Sequence, residues 1–290
     1  MTSPRAIATL ALGVLVALSG VSGAAQGGRF RYVTTARQLG PVAYRDPLGV
    51  PSPDGRWLAT HVGLHLWVEP LAGGPFRELG EGRRRRLHLV WRPDSRTVVA
   101  READRERSWF DWSEYDAVRG TRTLLWADRE SLVPPDGNAA ERGDLLELAF
   151  AADGRAAGLV VRDGGRQVWI FDAAGTVLET IGEPGRLSNI AWKPDGGVAC
   201  VDAGGARPNL SLDCGRAPGR PDLGEVRGPI AFDADGGAFV GRPNDRGTLD
   251  LWRLDLDTGA AERISDFTRD TYAPMPSPTA ASSSSCRSTP

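Results

Sequence analysis

Lysine is almost missing from this chain of 290 residues: Lys193 is the only one, and arginine supplies the rest of the 35 basic residues. Set against 37 acidic residues they leave a formal charge of −2, which gives no reason to expect nucleic acid or an anionic membrane as partner. Arginine standing in for lysine reads as a coding bias toward GC-rich codons, and the run Arg83–Arg86 as a solvated loop between structural units. Histidine is scarce, with three residues, and cysteine equally so. His61, His65 and His88 fall on neighbouring strands, but no cysteine or carboxylate completes a ligand spacing, so no zinc-type site is expected. Asp233 with Asp235, and Asp255 with Asp257, offer oxygens for calcium without a complete D-x-D-x-D-G loop around them. A G-x-S-x-G elbow, a P-loop, a dinucleotide fingerprint and H-E-x-x-H are all missing. No catalytic, cofactor-binding or metal-ligating residue is therefore assigned, and the expectation is a protein that is not an enzyme and carries no cofactor.

Long apolar runs are missing as well, with one exception. Ala6–Val21 is uncharged and apolar, Arg5 precedes it, and Ser22-Gly23-Ala24 follows with small residues at the spacing of a cleavage site. The run is shorter than the roughly 20 residues that a spanning helix needs. Residues 1–24 are read as a secretory signal peptide, with a mature chain from Ala25 that is periplasmic or secreted and has no integral membrane segment. An exported compartment permits disulfides. Cys200 and Cys214 fall in one repeat on what read as adjacent antiparallel strands; a bridge and a pair of separate small hydrophobes both fit, and Cys286 is left over.

What the chain has in quantity is one turn. NIAWKPDG ends at Gly196, LHLVWRPDS at Ser95, LELAFAADG at Gly154, GPIAFDADG at Gly236 and LGVPSPDG at Gly55. Each is a short apolar run, then Trp, Phe or Pro, one variable residue, Pro or Ala, Asp, and Gly or Ser. Alternating apolar residues build a half-buried strand. Proline presets φ, aspartate bonds forward to its own backbone, and glycine takes the left-handed position. A second strand follows each turn: RWLATHV, RTVVARE, RAAGLVVRD, GVACVD and GAFVGRP. The turn aspartates Asp54, Asp94, Asp153, Asp195 and Asp235 are separated by 40, 59, 42 and 40 residues. A period near 40–45 residues with several short strands per unit is a propeller signature, and an immunoglobulin-like sandwich does not predict the same turn chemistry five times over. The expected fold is all-β, a β-propeller of four-stranded antiparallel blades with five recognisable repeats and an incomplete sixth. The propeller is placed over residues 25–278, with an insertion in blade two at about residues 101–146.

A second motif recurs on the third strand: LHLWVEPLAGG, QVWIFDAAG and LDLWRLDLDTG place Trp67, Trp169 and Trp252 at equivalent positions. Each alone reads as a stacking platform; their recurrence favours a structural role between blades. The irregular blade is the second. There Trp109, Phe110, Trp112 and Tyr115 alternate with Asp111, Glu114 and Asp116, followed by the long connection SLVPPDGNAAERGD. A recognition surface and ordinary inter-blade packing with a polar rim are both compatible with that cluster.

TYAPMPSP begins a sixth copy, and then the pattern stops: residues 279–290 read TAASSSSCRSTP. This tail is a low-complexity, disordered segment or the product of a frameshift. Stepping back one base at Pro278 allows Thr279 and Ala280 to become Asp and Gly, and TCN serine codons to become apolar residues. The direct check is the DNA sequence across that junction.

Ser52-Pro53-Asp54-Gly55, Arg92-Pro93-Asp94-Ser95, Lys193-Pro194-Asp195-Gly196, the degenerate Asp153-Gly154 and Asp235-Gly236, and Leu254–Gly259 together resemble the TolB-like propeller family over roughly Val50 to Pro278. The resemblance implies an exported bacterial propeller, commonly six-bladed, that binds protein or another cell-envelope macromolecule and has no cofactor. The same repeats build the propeller of prolyl oligopeptidase-family serine peptidases, and YDAVRGTRTLLWADRESLVPP is similar to such propellers. The alternative reading is therefore a peptidase propeller whose catalytic domain is not in this chain. A propeller lyase for acidic sugars would need a metal and a basic cluster, which the sequence does not display.

Overall fold

The computed structural model describes residues 49–62, 64–80, 84–104, 110–126, 143–214, 223–233, 235–246 and 248–264. The segments read as signal peptide, sixth repeat and tail, together with Arg83, Trp109, Cys286 and most of the two long connections, lie outside them. The described residues form an all-β propeller of five antiparallel blades, and in every sheet the spatial order of the strands follows the chain. Blade one holds β1 (Val50–Pro51), β2 (Trp57–Val62), β3 (His65–Pro70) and β4 (Arg77–Glu78). Blade two holds β5 (Arg84–Trp91), β6 (Thr97–Asp104), β7 (Asp111–Asp116) and β8 (Arg122–Trp126). Blade three holds β9 (Asp144–Phe150), β10 (Ala156–Arg162), β11 (Gly165–Phe171) and β12 (Val177–Gly185). Blade four holds β13 (Leu187–Trp192), β14 (Val198–Asp202) and β15 (Asn209–Ser211), and blade five β16 (Arg227–Phe232), β17 (Ala238–Pro243), β18 (Leu249–Leu254) and β19 (Ala261–Arg263).

The outer edge of blade four is described in part, since residues 215–222 lie outside the described residues. Among the described residues its ladder ends at the three-residue β15, and a single antiparallel bridge from Asn209 to Glu225 stands where the fourth strand would pair.

The first strands of the blades lie side by side, β1 with β5, β5 with β9, β9 with β13 and β13 with β16. Strand alternation gives each sheet two apolar faces, and these meet in four hydrophobic clusters. Leu66, Val68, Val98 and Tyr115 join blades one and two. Val99, Trp112, Leu148 and Trp169 join blades two and three. Leu159, Ile170, Leu187 and Cys200 join three and four, and Val201, Leu210, Phe232 and Val240 join four and five. Burial against the neighbour, not within the sheet, is what holds such units together.

The turn between first and second strand closes as its residues dictate. Gly55, Ser95, Gly154, Gly196 and Gly236 stand at φ of 69°, 54°, 90°, 85° and 85°, a left-handed region that costs glycine little and serine more. Gly55 N–H donates to Ser52 O at 2.9 Å, and Gly196 N–H to Lys193 O at 3.0 Å. The aspartate then accepts from the backbone two residues on: Asp54 from Arg56 at 3.0 Å, Asp94 from Arg96 at 2.9 Å, Asp153 from Arg155 at 3.0 Å and Asp195 from Gly197 at 2.9 Å. In blade five the part passes to Asp233, which accepts from Asp235 N–H at 3.0 Å and Gly237 N–H at 2.7 Å. Asp54 N–H also donates to Ser95 Oγ at 2.9 Å, so the turns of successive blades gather at one end of the propeller.

Before two of the turns a tryptophan ties blade to blade. Trp91 Nε1 donates to Val50 O at 2.7 Å across a sequence separation of 41, and Trp192 Nε1 to Ala149 O at 2.9 Å across 43. Both reach back by one repeat. Arg92 lies 4.9 Å over the Phe150 ring, and Arg155 lies 5.1 Å over the Trp192 ring, which packs the same end further.

Candidate functional site: a charged cluster opposite the turns

In an antiparallel blade the second-to-third strand connection lies at the end away from the Pro-Asp-Gly turns. At that end of blade two the chain gathers arginines. The run expected as a solvated loop is strand instead: Arg84, Arg85 and Arg86 open β5, paired in register with Asp104, Ala103 and Glu102. Strand alternation sends Arg85 outward and Arg86 inward, and the Arg86 side chain is only 1% exposed. Its Nη1 donates to Leu64 O at 2.8 Å and Arg84 O at 3.2 Å, and its Nη2 to Tyr115 Oη at 3.2 Å.

Glu102 is the centre of this arrangement. Its side chain has no exposed surface, and it accepts from Tyr115 Oη at 2.5 Å and Arg122 Nε at 2.7 Å. Arg86 Nε lies 3.3 Å from it and Arg84 Nε 3.6 Å. One buried carboxylate thus faces guanidinium groups from two other strands of the blade. Burial first, then the Glu102 carboxylate, push the Tyr115 hydroxyl up, so it stays a donor. Desolvation, with Arg86 nearby, pushes the His61 imidazole down.

Beside this network lies a second, more open group. Phe110 is half-buried between Arg85, 5.2 Å from its ring, and Arg101, 5.1 Å from it. Arg101 is fixed by Asp144, with Nη2 at 3.1 Å from each carboxylate oxygen. The sandwich therefore spans blades two and three, and the exposed Arg85 is its outward face. His88 lies below, its Nε2 at 3.0 Å from Leu148 O and its ring edge-on to Trp112 at 5.7 Å. Desolvation pushes the His88 imidazole down, although Glu147 pulls the other way.

The other residues singled out from sequence fall as follows. In the blade-two cluster, Trp112, Tyr115 and Asp111 are buried, Glu114 pairs with Arg92, and Asp116 pairs with Arg96 at 2.7 Å; Tyr115 joins the Glu102 network and Phe110 the more open group. Trp169 is fully buried between blades two and three, and Trp252 packs against the cluster of blades four and five. Trp67 is half-buried and instead contacts His65, 6.1 Å away, and Phe76, 6.2 Å away. His65 pairs with Glu78 on blade one, while His88 serves the interface of blades two and three. Among the described residues no three of His, Cys, Asp and Glu are grouped to hold a metal ion. Asp233 and Asp255 spend their carboxylates on turns, Asp255 accepting from Asp257 N–H at 3.1 Å and Thr258 N–H at 2.8 Å. Cys200 and Cys214 are free, buried thiols. A cleft of about 390 Å³ open to solvent separates blades three and four, lined by Arg155, Glu179, Trp192, Val198 and Asp213 among others. Among the described residues no helix is long and apolar enough to cross a membrane.

Sequence reasoning missed the Glu102 network. The signal available was a carboxylate inside the apolar strand TVVAREAD, sixteen residues from an arginine that an antiparallel register brings opposite it.

No protein-family model matches the chain, and no curated protein matches it by sequence. Solved structures do match. TolB from Acinetobacter baumannii superposes with a TM-score of 0.53 at 16% identity, over 77% of this chain and 53% of that one. A candidate TolB from Agrobacterium tumefaciens gives 0.56 at 14% identity, over 76% and 80%. Oligogalacturonate lyase from Vibrio parahaemolyticus gives 0.51 at 13% identity, over 76% and 65%. The likeness is one of fold. This chain spans about half the length of the first of these proteins and four-fifths of the second. The resemblance read from the turns thus meets TolB propellers among the structural neighbours, alongside an enzyme built on the same architecture, and a shared fold does not carry a shared activity.

Proposed function

We propose that this chain is an exported propeller that binds a protein partner non-enzymatically through the charged end of blades two and three. The observation that carries the reading is Phe110 held between Arg85 and Arg101, with Arg101 pinned by Asp144. Arginine and aromatic side chains dominate the energetics of protein interfaces, and a pre-positioned guanidinium loses less entropy on docking. β6 and β8 end, and β7 begins, at that end of blade two, so the chain leaves and re-enters the blade beside this group. The TolB likeness supports a binding role. The lyase likeness supports testing for catalysis rather than assuming its absence.

The test is affinity capture from the envelope fraction of the source organism with the immobilised mature chain, beside Arg85→Glu and Phe110→Ala. A protein retained by the parent and lost from both variants, whose far-ultraviolet spectra match the parent, supports the reading. Equal retention by all three places the binding surface elsewhere. Turnover of short peptides or of oligogalacturonate by the parent would remove the non-enzymatic part. Sequencing the mature N-terminus checks export directly, with a start at Ala25 as the expected result.

A further inference from the structure

Blade four is the one whose ladder is short, and it is also where the two described cysteines meet. Cys200 sits in the middle of β14, its register partner on β15 being Ser211. Three residues later the chain turns back: Cys214 stands at φ 47°, a left-handed conformation unusual for a residue with a side chain. That turn sends its Sγ to Val198 O at 3.5 Å, two residues before Cys200 on the same strand. Residues two apart in a strand share a face, and both thiols are buried in the one cluster that joins blades three and four. The Cys200 thiol is also the first cause that pushes the Cys214 thiol up. Val198 and Asp213, the residues that flank the pair, line the solvent-open cleft between those blades.

We propose that Cys200 and Cys214 form a disulfide that ties the turn after β15 to β14 in blade four. The inference goes beyond the binding reading and does not rest on it. The oxidant is a carrier disulfide, that of a thiol–disulfide oxidoreductase or of oxidised glutathione. One protein thiolate attacks a carrier sulfur, forming a mixed disulfide and releasing one carrier thiolate. The second protein thiolate attacks the protein sulfur of that mixed disulfide and releases the other. Two electrons pass to the carrier, and the two protons lost by Cys200 and Cys214 end on its two thiols. The neighbouring Cys200 thiol and then burial hold the Cys214 thiol far up, so packed Cys214 is inert as a nucleophile. The exchange therefore runs while the cluster of blades three and four is still open, during folding.

The experiment uses the full chain carrying Cys286→Ser, which removes the competing third thiol. It is refolded with oxidised and reduced glutathione, alkylated after unfolding, and mapped by mass spectrometry. The expected result is a Cys200–Cys214 cross-linked peptide, unalkylated and two hydrogens lighter than the reduced pair. The melting temperature should then be about 6 °C or more above that of the same protein treated with dithiothreitol, given the short loop closed. Cys200→Ala should show no response to dithiothreitol; should that variant fail to fold, the reduced and oxidised forms of the parent still carry the comparison. Full alkylation of both thiols after oxidative refolding, or a cross-link that leaves the melting temperature unchanged, overturns the proposal.

Discussion

The two ends of this propeller are built on opposite principles. At the turn end the bonds recur from blade to blade: a carboxylate reaches two residues forward, glycine or serine supplies the reversal, and in two blades an indole reaches back one repeat. At the other end the decisive bonds are long-range and occur once. Glu102 gathers Arg84, Arg86, Arg122 and Tyr115, and Phe110 gathers Arg85 and Arg101. Repetition belongs to the part that must be the same in every blade. The part that differs in one blade is where a specific surface can be made.

The largest way to test that contrast is Glu102→Gln. The change keeps the shape but leaves three guanidinium groups without their buried counter-charge. It should cost about 3 kcal/mol or more, read as a lower urea midpoint. A loss below about 1 kcal/mol would mean the network is no more specific than the turns.

Acid separates the ends by pH window. His88 and His61 have folded values pushed below the ordinary histidine range by desolvation, so unfolding takes up protons there. Their contribution is complete above pH ~6.5 and falls as pH drops through that value, by up to about 1.4 kcal/mol per pH unit for each group. At the turn end, burial pushes Asp54 and Asp94 up, but the hydrogen bonds they accept leave both lowered. Asp116, held by Arg96, is pushed down to about 2. Those groups keep their contribution above pH ~4 and lose it between there and pH ~2. Urea midpoints across pH should therefore fall in two separate steps, and His88→Gln should flatten the upper one. A single step below pH 4 would show that the histidines carry no such load.

The smallest effect is expected from one turn alone. Asp94→Ala removes acceptors for Arg96 N–H, Thr97 N–H and the Thr97 hydroxyl, all exposed, and should cost about 1 kcal/mol. A cost as large as that of Glu102→Gln would erase the contrast between the ends.

The same contrast explains what could be read from the residues. Turn positions, strand pairs and the propeller period were legible because the chemistry lies within a few neighbours and recurs. Even there a two-residue ambiguity survived: DADG offers two aspartates, and the fold uses Asp233 where the repeat pattern pointed to Asp235. Arg86 was read as solvated because a run of four arginines is ordinarily a surface feature. Only the register of β5 against β6, which the sequence does not state, turns one of them inward onto Glu102.

The indole bonds from Trp91 to Val50 and from Trp192 to Ala149 have a consequence for how such a protein changes over generations. Donor and acceptor sit in different repeats, one unit apart. Duplicating or deleting a whole unit therefore hands each indole an equivalent carbonyl. Blade number becomes something recombination can edit without redesigning a joint, while the arginine cluster travels with β5 and β6 of blade two and reaches blade three through Asp144.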